Sequence, residues 1–410
     1  MRFDGPPLAG QFRVTGWSRL EACSQEAPVP TRTVPTSTVP ARPVPAGPVT
    51  ASPVAASPVA GSSLKAARQR SAGLEAAIRE DPGRFRVLTG DRPTGPLHVG
   101  HLFGTLLNRV RLQDLGVEVM VLIADYQTLT DRDAPGTLPA DVLGQVADYL
   151  AVGIDPARAA IFAHSQIEPL NQLLIPFLSL VSVAEVGRNP TVKEEFGAAG
   201  GSSMSALMFT YPVHQAADIL FCHANLVPVG QDQLPHLELT RTIARRFNDR
   251  YCPADPYFTV PDALLSDAPL LLGTDGQKMS KSRGNAIALA ASEDETARVV
   301  RAARTDDRRT ITYEPESRPA VSNLVQLAAL CLETSPEQVA AEVGDGGAAA
   351  LKQLLTEALN ERLRPIRARR REVAADPGYL RRVLADGNDR ARTLAARTLS
   401  DVHSLLHTRY

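Results

Sequence analysis

The sequence predicts an α/β protein: a parallel sheet flanked by helices, followed by an α-helical C-terminal region. Three observations carry that expectation. Short β-branched or aliphatic runs alternate with amphipathic helical stretches from about Arg84, a glycine- and histidine-bearing turn follows the first such run, and helical segments dominate from about Val321.

The elements follow in order. Between Pro28 and Pro58 nine prolines interleave with Val, Ala, Thr and Ser, so no packed core is available to offset the entropy of ordering. Residues 1–75 are therefore expected to be a disordered, locally extended tail, a spacer being a plainer reading than a partner-binding segment. The only tryptophan of the chain, Trp17, lies in it. Then "RFRVLTG" (84–90), "VEVMVLIAD" (117–125), "AAIFAHS" (159–165) and "LVPVG" (226–230) read as strands. Between the first two, "HVGHLFGTLLNRVRLQDLG" has helical apolar spacing and a closing glycine. Strand, helix, strand is a βαβ unit, which implies parallel pairing and ligands at the carboxyl ends of the strands.

Composition sets the outer bounds. The 410 residues, 44% hydrophobic and 22% charged, suit about two to three domains. A net charge of −1 conceals 12 Arg against 6 Asp plus Glu from Glu361 to Tyr410, which favours a polyanionic partner at that end. Cys23, Cys222, Cys252 and Cys331 form no CxxC pair, so neither a disulfide framework nor a metal site is expected and the compartment reads as reducing cytosol. No apolar run approaches the ~18 to 20 residues of a membrane span, and no secretion signal is evident.

The stretch "GDRPTGPLHVGH" (90–101) falls at the carboxyl end of the first strand. Gly90 and Gly95 allow a sharp turn, and Gly100 allows close approach to a helix start, where unpaired N–H groups favour an anion. His98 and His101 add donors, and a nucleotide triphosphate fits. Far downstream, "GTDGQKMSKSRGN" (273–285) places Lys278, Ser280, Lys281 and Ser282 between glycines, a set suited to gripping pyrophosphate while charge builds at an α-phosphate. A Lys- and Ser-bearing loop alone is usually a solvated turn. Together and in this order, "HVGH" and "KMSKS" resemble the two signature motifs of class I aminoacyl-tRNA synthetases.

Within that class, "YPVHQAADILFCHANLVPVGQDQLPHLELTRTIARRF" (211–247) resembles the tryptophanyl-tRNA synthetases, and the resemblance runs from about Arg84 to the C-terminus. It implies a Rossmann-like catalytic domain over 84–290, binding ATP and tryptophan, and an α-helical region over 291–410 for the tRNA anticodon. It further implies that Asp218 receives the indole N–H, that Tyr211, Val227 and Val229 line the pocket with Gln215 and Gln127, and that Gly230, Asp232 and Gln233 lie beside the ribose and α-amino group. Arg92, Thr94, Gly95, His98, Gly100, His101, Lys278, Met279, Ser280, Lys281 and Ser282 are the implied ATP-binding set, with His98, His101, Lys278 and Lys281 acting on the triphosphate. Indole is a donor only, so a buried carboxylate suits it. Gln215, Gln127 and Arg92 depart from the common bacterial pattern, as in a divergent second copy of the enzyme.

The implied reaction activates L-tryptophan with ATP and Mg2+ and transfers it to tRNA(Trp), with a homodimer as the working unit. Lys193, in "NPTVKEEFGAAGGSS", is a candidate to join from a glycine-rich loop. Five Arg within Arg364 to Arg371 exceed one solvated helix face and fit RNA phosphates. A tyrosine-specific relative, a synthetase paralogue that senses tryptophan, and a related nucleotidyltransferase are the competing classes.

Overall fold

The structure is a computed structural model that describes residues 58–130, 136–190, 192–193, 204–230, 233–265, 271–277, 279 and 284–410. Five parallel strands, β1 (Arg86–Asp91), β2 (Glu118–Ile123), β3 (Ala159–Ala163), β4 (Leu226–Val229) and β5 (Asp262–Leu265), pair in the order β3-β2-β1-β4-β5. The chain moves outward from β1 to β3 and then returns to β1's other side. The order therefore reverses beside β1, and open α/β sheets bind ligands at that place.

Alternation along each strand builds two layers. Val119, Val121 and Ile123 of β2 face one core, while Met120 and Leu122 face the other. Both faces are covered, which is why "EVMVLI" reads as one nearly unbroken apolar run.

The helices, numbered in chain order, begin with α1 (Pro58–Glu80). After β1 come a turn at Val99–His101, a π-helical turn at Leu102–Leu106 and α2 (Leu107–Leu115). α2 ends on Gly116 at φ 99°, the left-handed cap that glycine supplies. Then follow α3 (Leu138–Val152), α4 (Ala206–Leu220), α5 (Leu234–Tyr251), α6 (Glu293–Arg301), α7 (Pro319–Leu332), α8 (Pro336–Val343), α9 (Gly347–Ala374) and α10 (Pro377–Leu405). Ser205 caps α4 by accepting from the Met208 N–H at 3.1 Å.

Three expectations need correction. Residues 1–57 of the expected tail lie outside the described residues, but 58–75 belong to α1, and Ser71 is buried with its hydroxyl bonded to Ala263 O and Leu265 N–H of β5. Gly90 is not part of the turn; it lies inside β1, where a Cβ would sit 2.3 Å from Leu122 O. The catalytic and C-terminal regions also share one core, since Val119 and Val146 cluster with Leu355 and Leu363 of α9.

Both sheet edges are closed by helices. At β3, α10 supplies Asn388, whose Oδ1 accepts the Ala163 N–H at 2.9 Å, and Arg390, which donates to Ala159 O at 3.1 Å. Ser71 does the equivalent at β5. Such covering removes the unpaired edge groups that otherwise invite association.

Candidate active site

The turn after β1 rests on a buried ion pair. Asp91, the last residue of β1, accepts from Arg109 Nη1 at 2.6 Å and from the Tyr149 hydroxyl at 2.8 Å. Burial raises its pKa, but the Arg109 guanidinium, with His101 and Tyr149, outweighs that and holds it at about 2. Beyond it, the Thr94 N–H donates to Arg92 O at 2.9 Å and Gly95 takes φ 108°, a conformation that favours glycine. The Leu97 N–H then donates to Asp148 Oδ2 at 3.1 Å, and Asp148 also accepts from Arg370 Nε of α9 at 2.5 Å. His98 and His101 stand with ring centroids 3.8 Å apart, and the His98 N–H donates to His101 Nδ1 at 3.2 Å.

This turn is joined to the segment that follows the second motif. The Val99 N–H donates to Ile287 O at 3.0 Å and the Leu289 N–H to Leu97 O at 2.9 Å. Lys278, Ser280, Lys281, Ser282 and Asp232 lie outside the described residues. Met279 is described and buried, and a Cβ placed on Gly100 would sit 3.2 Å from its sulfur and 3.0 Å from the His98 ring. The two motifs, distant in sequence, therefore touch. The base of the second loop is closed by Asp275 Oδ1, which accepts from the Gln277 N–H at 2.9 Å and from Asn285 Nδ2 at 2.7 Å.

The second cluster lies at the carboxyl ends of β2, β3 and β4. Tyr211, Gln215 and Asp218 are on α4, and Val227 and Val229 on β4 share its apolar layer. Gly230 follows β4, Gln233 precedes α5, and Gln127 occupies the 3-10 turn Tyr126–Thr130 after β2. Gln127 and Asp218 meet directly, Gln127 Nε2 donating to Asp218 Oδ2 at 3.3 Å. Two residues not foreseen from the sequence join them. His164 Nε2 lies 3.2 Å from Asp218 Oδ1, and the His214 ring centroid is 4.2 Å from that of His164. The available signals were a histidine just past a strand's carboxyl end and the His214–Asp218 spacing of one helical turn. Tyr211 is tied to the buried His236, its hydroxyl 3.0 Å from Nε2.

Burial dominates the electrostatics. It drives Asp218 well above the ordinary carboxyl range, opposed by the Gln127 hydrogen bond. His164 is pushed well below the usual imidazole range by burial and then by His214, and His214 is lowered to about 4 by burial. Both imidazoles are thus neutral at pH 7. Lys193 is exposed, and residues 194–200 of its glycine-rich stretch lie outside the described residues.

In the basic run of α9, two of the five arginines turn inward. Arg367 is buried and donates to Thr296 at 2.7 Å, and Arg370 is held by Asp148. Arg364, Arg369 and Arg371 are exposed, fewer than the whole run that sequence offered to RNA.

Residues 80–364 match the family described as tRNA synthetases class I (W and Y). The chain belongs to that family. Among curated relatives of these synthetases, the tryptophan-tRNA ligase of Treponema pallidum (strain Nichols) is 44% identical over 325 residues, covering 78% of this chain and 95% of that one. The tryptophan-tRNA ligase of Streptococcus pyogenes serotype M1 is 41% identical over 336 residues, with 79% and 98% covered. Among solved structures, the tryptophanyl-tRNA synthetase of Campylobacter jejuni, complexed with ADP and tryptophan, aligns with a TM-score of 0.68 at 29% identity over 79% of this chain and all of that one. A tyrosyl-tRNA synthetase from Archaeoglobus fulgidus, at 23% identity and a TM-score of 0.55, shares the fold.

Proposed function

We propose that the chain is a tryptophan-tRNA ligase that converts L-tryptophan and Mg–ATP into tryptophanyl-adenylate and pyrophosphate, then transfers the tryptophanyl group to tRNA(Trp) and releases AMP. The observation that carries this reading is the contact of the two motif segments at Gly100 and Met279, in a chain whose relatives are tryptophan-tRNA ligases.

The tryptophan carboxylate attacks the α-phosphorus and pyrophosphate leaves, so no side chain forms a covalent intermediate. Catalysis then rests on positioning and on donors placed where charge develops. In this reading His98 and His101, with the backbone of Arg92, Thr94, Gly95 and Gly100, bind the triphosphate. Lys278, Met279, Ser280, Lys281 and Ser282 close on it from the second loop, with Lys278 and Lys281 as the cations, while Gly230 and Asp232 hold the ribose. Asp218 accepts the indole N–H, and Tyr211, Gln215, Gln127, Val227, Val229 and Gln233 shape the amino-acid pocket. Magnesium enters as part of the nucleotide substrate.

The helical region over 291–410 is read as the tRNA-binding part, with Arg364, Arg369 and Arg371 toward phosphate. A homodimer is the proposed assembly. Sedimentation at micromolar concentration tests that assembly. Among the described residues no helix is long and apolar enough to cross a membrane.

Pyrophosphate exchange into ATP, measured with tryptophan and separately with tyrosine, tests the activity. Exchange with tryptophan alone is expected. Exchange driven by tyrosine, or none with either amino acid, overturns the reading.

A further inference from the structure

His164, His214 and Asp218 converge from two elements. His164 begins the 3-10 turn that follows β3, and His214 and Asp218 stand one turn apart on α4. The three residues are 0%, 5% and 2% exposed, and one donor atom from each lies within 4.8 Å of the others. His164 Nε2 and Asp218 Oδ1 face each other at 3.2 Å, and neither atom makes a hydrogen bond. The remaining polar atoms are already committed. Gln127's amide lies 3.2 Å from His164 Nδ1 through its oxygen and 3.3 Å from Asp218 Oδ2 through its nitrogen. His214 Nε2 lies 2.8 Å from Asn171 Oδ1.

Gln127 Nε2 also lies 3.1 Å from His164 Nδ1, and the tautomer that frees His164 Nε2 for a metal is the one protonated at Nδ1. His164 donates from Nδ1 to Gln127 Oε1, Gln127 Nε2 donates to Asp218 Oδ2, and His214 donates from Nε2 to Asn171 Oδ1. His164 Nε2 and the second carboxylate oxygen are then left facing one another, in the same group as a ring nitrogen of His214. Each imidazole is oriented through its other nitrogen, the arrangement that supports metal-ligating histidines. Two nitrogens and one oxygen suit a borderline cation such as Zn2+ rather than Mg2+ or Ca2+. Tetrahedral zinc with bonds of roughly 2.0 to 2.1 Å separates its donors by about 3.3 Å. The His164–Asp218 separation of 3.2 Å already matches one such edge.

We propose that His164, His214 and Asp218 form a three-ligand site for a zinc-class divalent cation on the floor of the amino-acid pocket, and that this cation and tryptophan exclude one another. The exclusion rests on the reading of Asp218 as indole acceptor, because Asp218 cannot serve both. Zinc at this site raises the tryptophan concentration needed for activation and leaves ATP binding unaltered.

The test uses the full chain, untagged, stripped with a chelator and with its thiols alkylated so that cysteines cannot hold the ion. Zinc uptake is followed by competition with a chromophoric chelator and by metal analysis after equilibrium dialysis. One zinc per chain is expected, at least tenfold weaker in His214→Leu and in His164→Gln, and displaced from the wild type by saturating L-tryptophan while excess Mg2+ leaves it in place. Failure of the wild type to take up one zinc, full zinc retention in both variants, or zinc and tryptophan bound together would each overturn the proposal. The titration with and without tryptophan needs no variant, so misfolding cannot obscure it. Pyrophosphate exchange by the zinc-free enzyme separates the two readings. Its absence removes the ligase assignment, whereas exchange without zinc binding removes only the metal site.

Discussion

On the proposed reading of Asp218 as indole acceptor, replacing it with Ala leaves the indole N–H buried without a partner, which costs roughly 1.5 to 3 kcal/mol, or about one to two decades of tryptophan affinity. ATP affinity is expected to be unchanged. Trp17 is the only tryptophan and would complicate fluorescence, so equilibrium dialysis with labelled tryptophan is the suitable measurement; unaltered affinity in a folded variant removes Asp218 from the pocket. Gly100→Ala probes the other substrate. Its Cβ would stand 3.0 Å from the His98 ring and 3.2 Å from Met279 sulfur, so the second motif must shift. Adenylate formation is expected to slow by about tenfold or more, with tryptophan affinity retained, because the approach of the two motifs acts on the reacting phosphate. Part of the geometry was legible in advance: His98 and His101 sit three apart after a strand, and the resemblance named Asp218 and Gln127, which the fold brings into contact. His164 and His214 were not, because what makes them matter is a contact between the end of β3 and the middle of α4, to which periodicity is blind.

Among the elements, α1 separates two truncations. Removal of residues 1–57 is expected to leave aminoacylation within about twofold, whereas removal through residue 75 takes Ser71 from β5 and exposes the sheet edge. The second form should melt several degrees lower and aggregate on heating, as followed by scattering during a thermal scan; equal stability of the two would place α1 outside the fold. At the opposite edge, Gly387 of α10 has room for no side chain, since a Cβ would lie 1.8 Å from Ile161 O. Gly387→Ala therefore forces α10 off β3 and should cost about 3 kcal/mol or more, read from the denaturant midpoint. The first four strands and the long C-terminal helices followed from apolar runs and helical spacing. β5 did not: four residues, "DALL", carry no alternation that distinguishes them from a loop or a helix turn. The start of α1 was equally hidden, because Pro58 and the small residues after it resemble the tail before them, and only packing against β5 gives the helix its place.

For the molecule as a whole, the buried histidines predict an acid-sensitive stability. His214 titrates near 6.5 in the unfolded chain and near 4 in the native one. Its contribution is fully present above about pH 6.5 and is lost as pH falls toward 4, by up to about 3 kcal/mol. Asp218, raised by burial, works in the opposite direction, favouring the native state more as pH falls. Comparison of melting temperatures at pH 5 and pH 7.5 for wild type and His214→Leu isolates the imidazole. The acid loss should shrink in the variant, and an unchanged loss would mean that His214 carries a proton in the native state.

Asp148 has a bearing on how such a chain can be rebuilt. One of its oxygens holds the Leu97 N–H at the root of the turn after β1 and the other holds Arg370 from the basic helix. A fragment ending before α9 would remove the Arg370 guanidinium from a buried carboxylate beside that turn, and taking away one partner of a buried ion pair is strongly destabilising. The two halves are consequently not interchangeable parts. Recombination with another synthetase, with the crossover anywhere between β5 and α9, is viable only when the incoming half brings an arginine to the position of Arg370, and swaps that respect every loop boundary but lose that residue should be found insoluble.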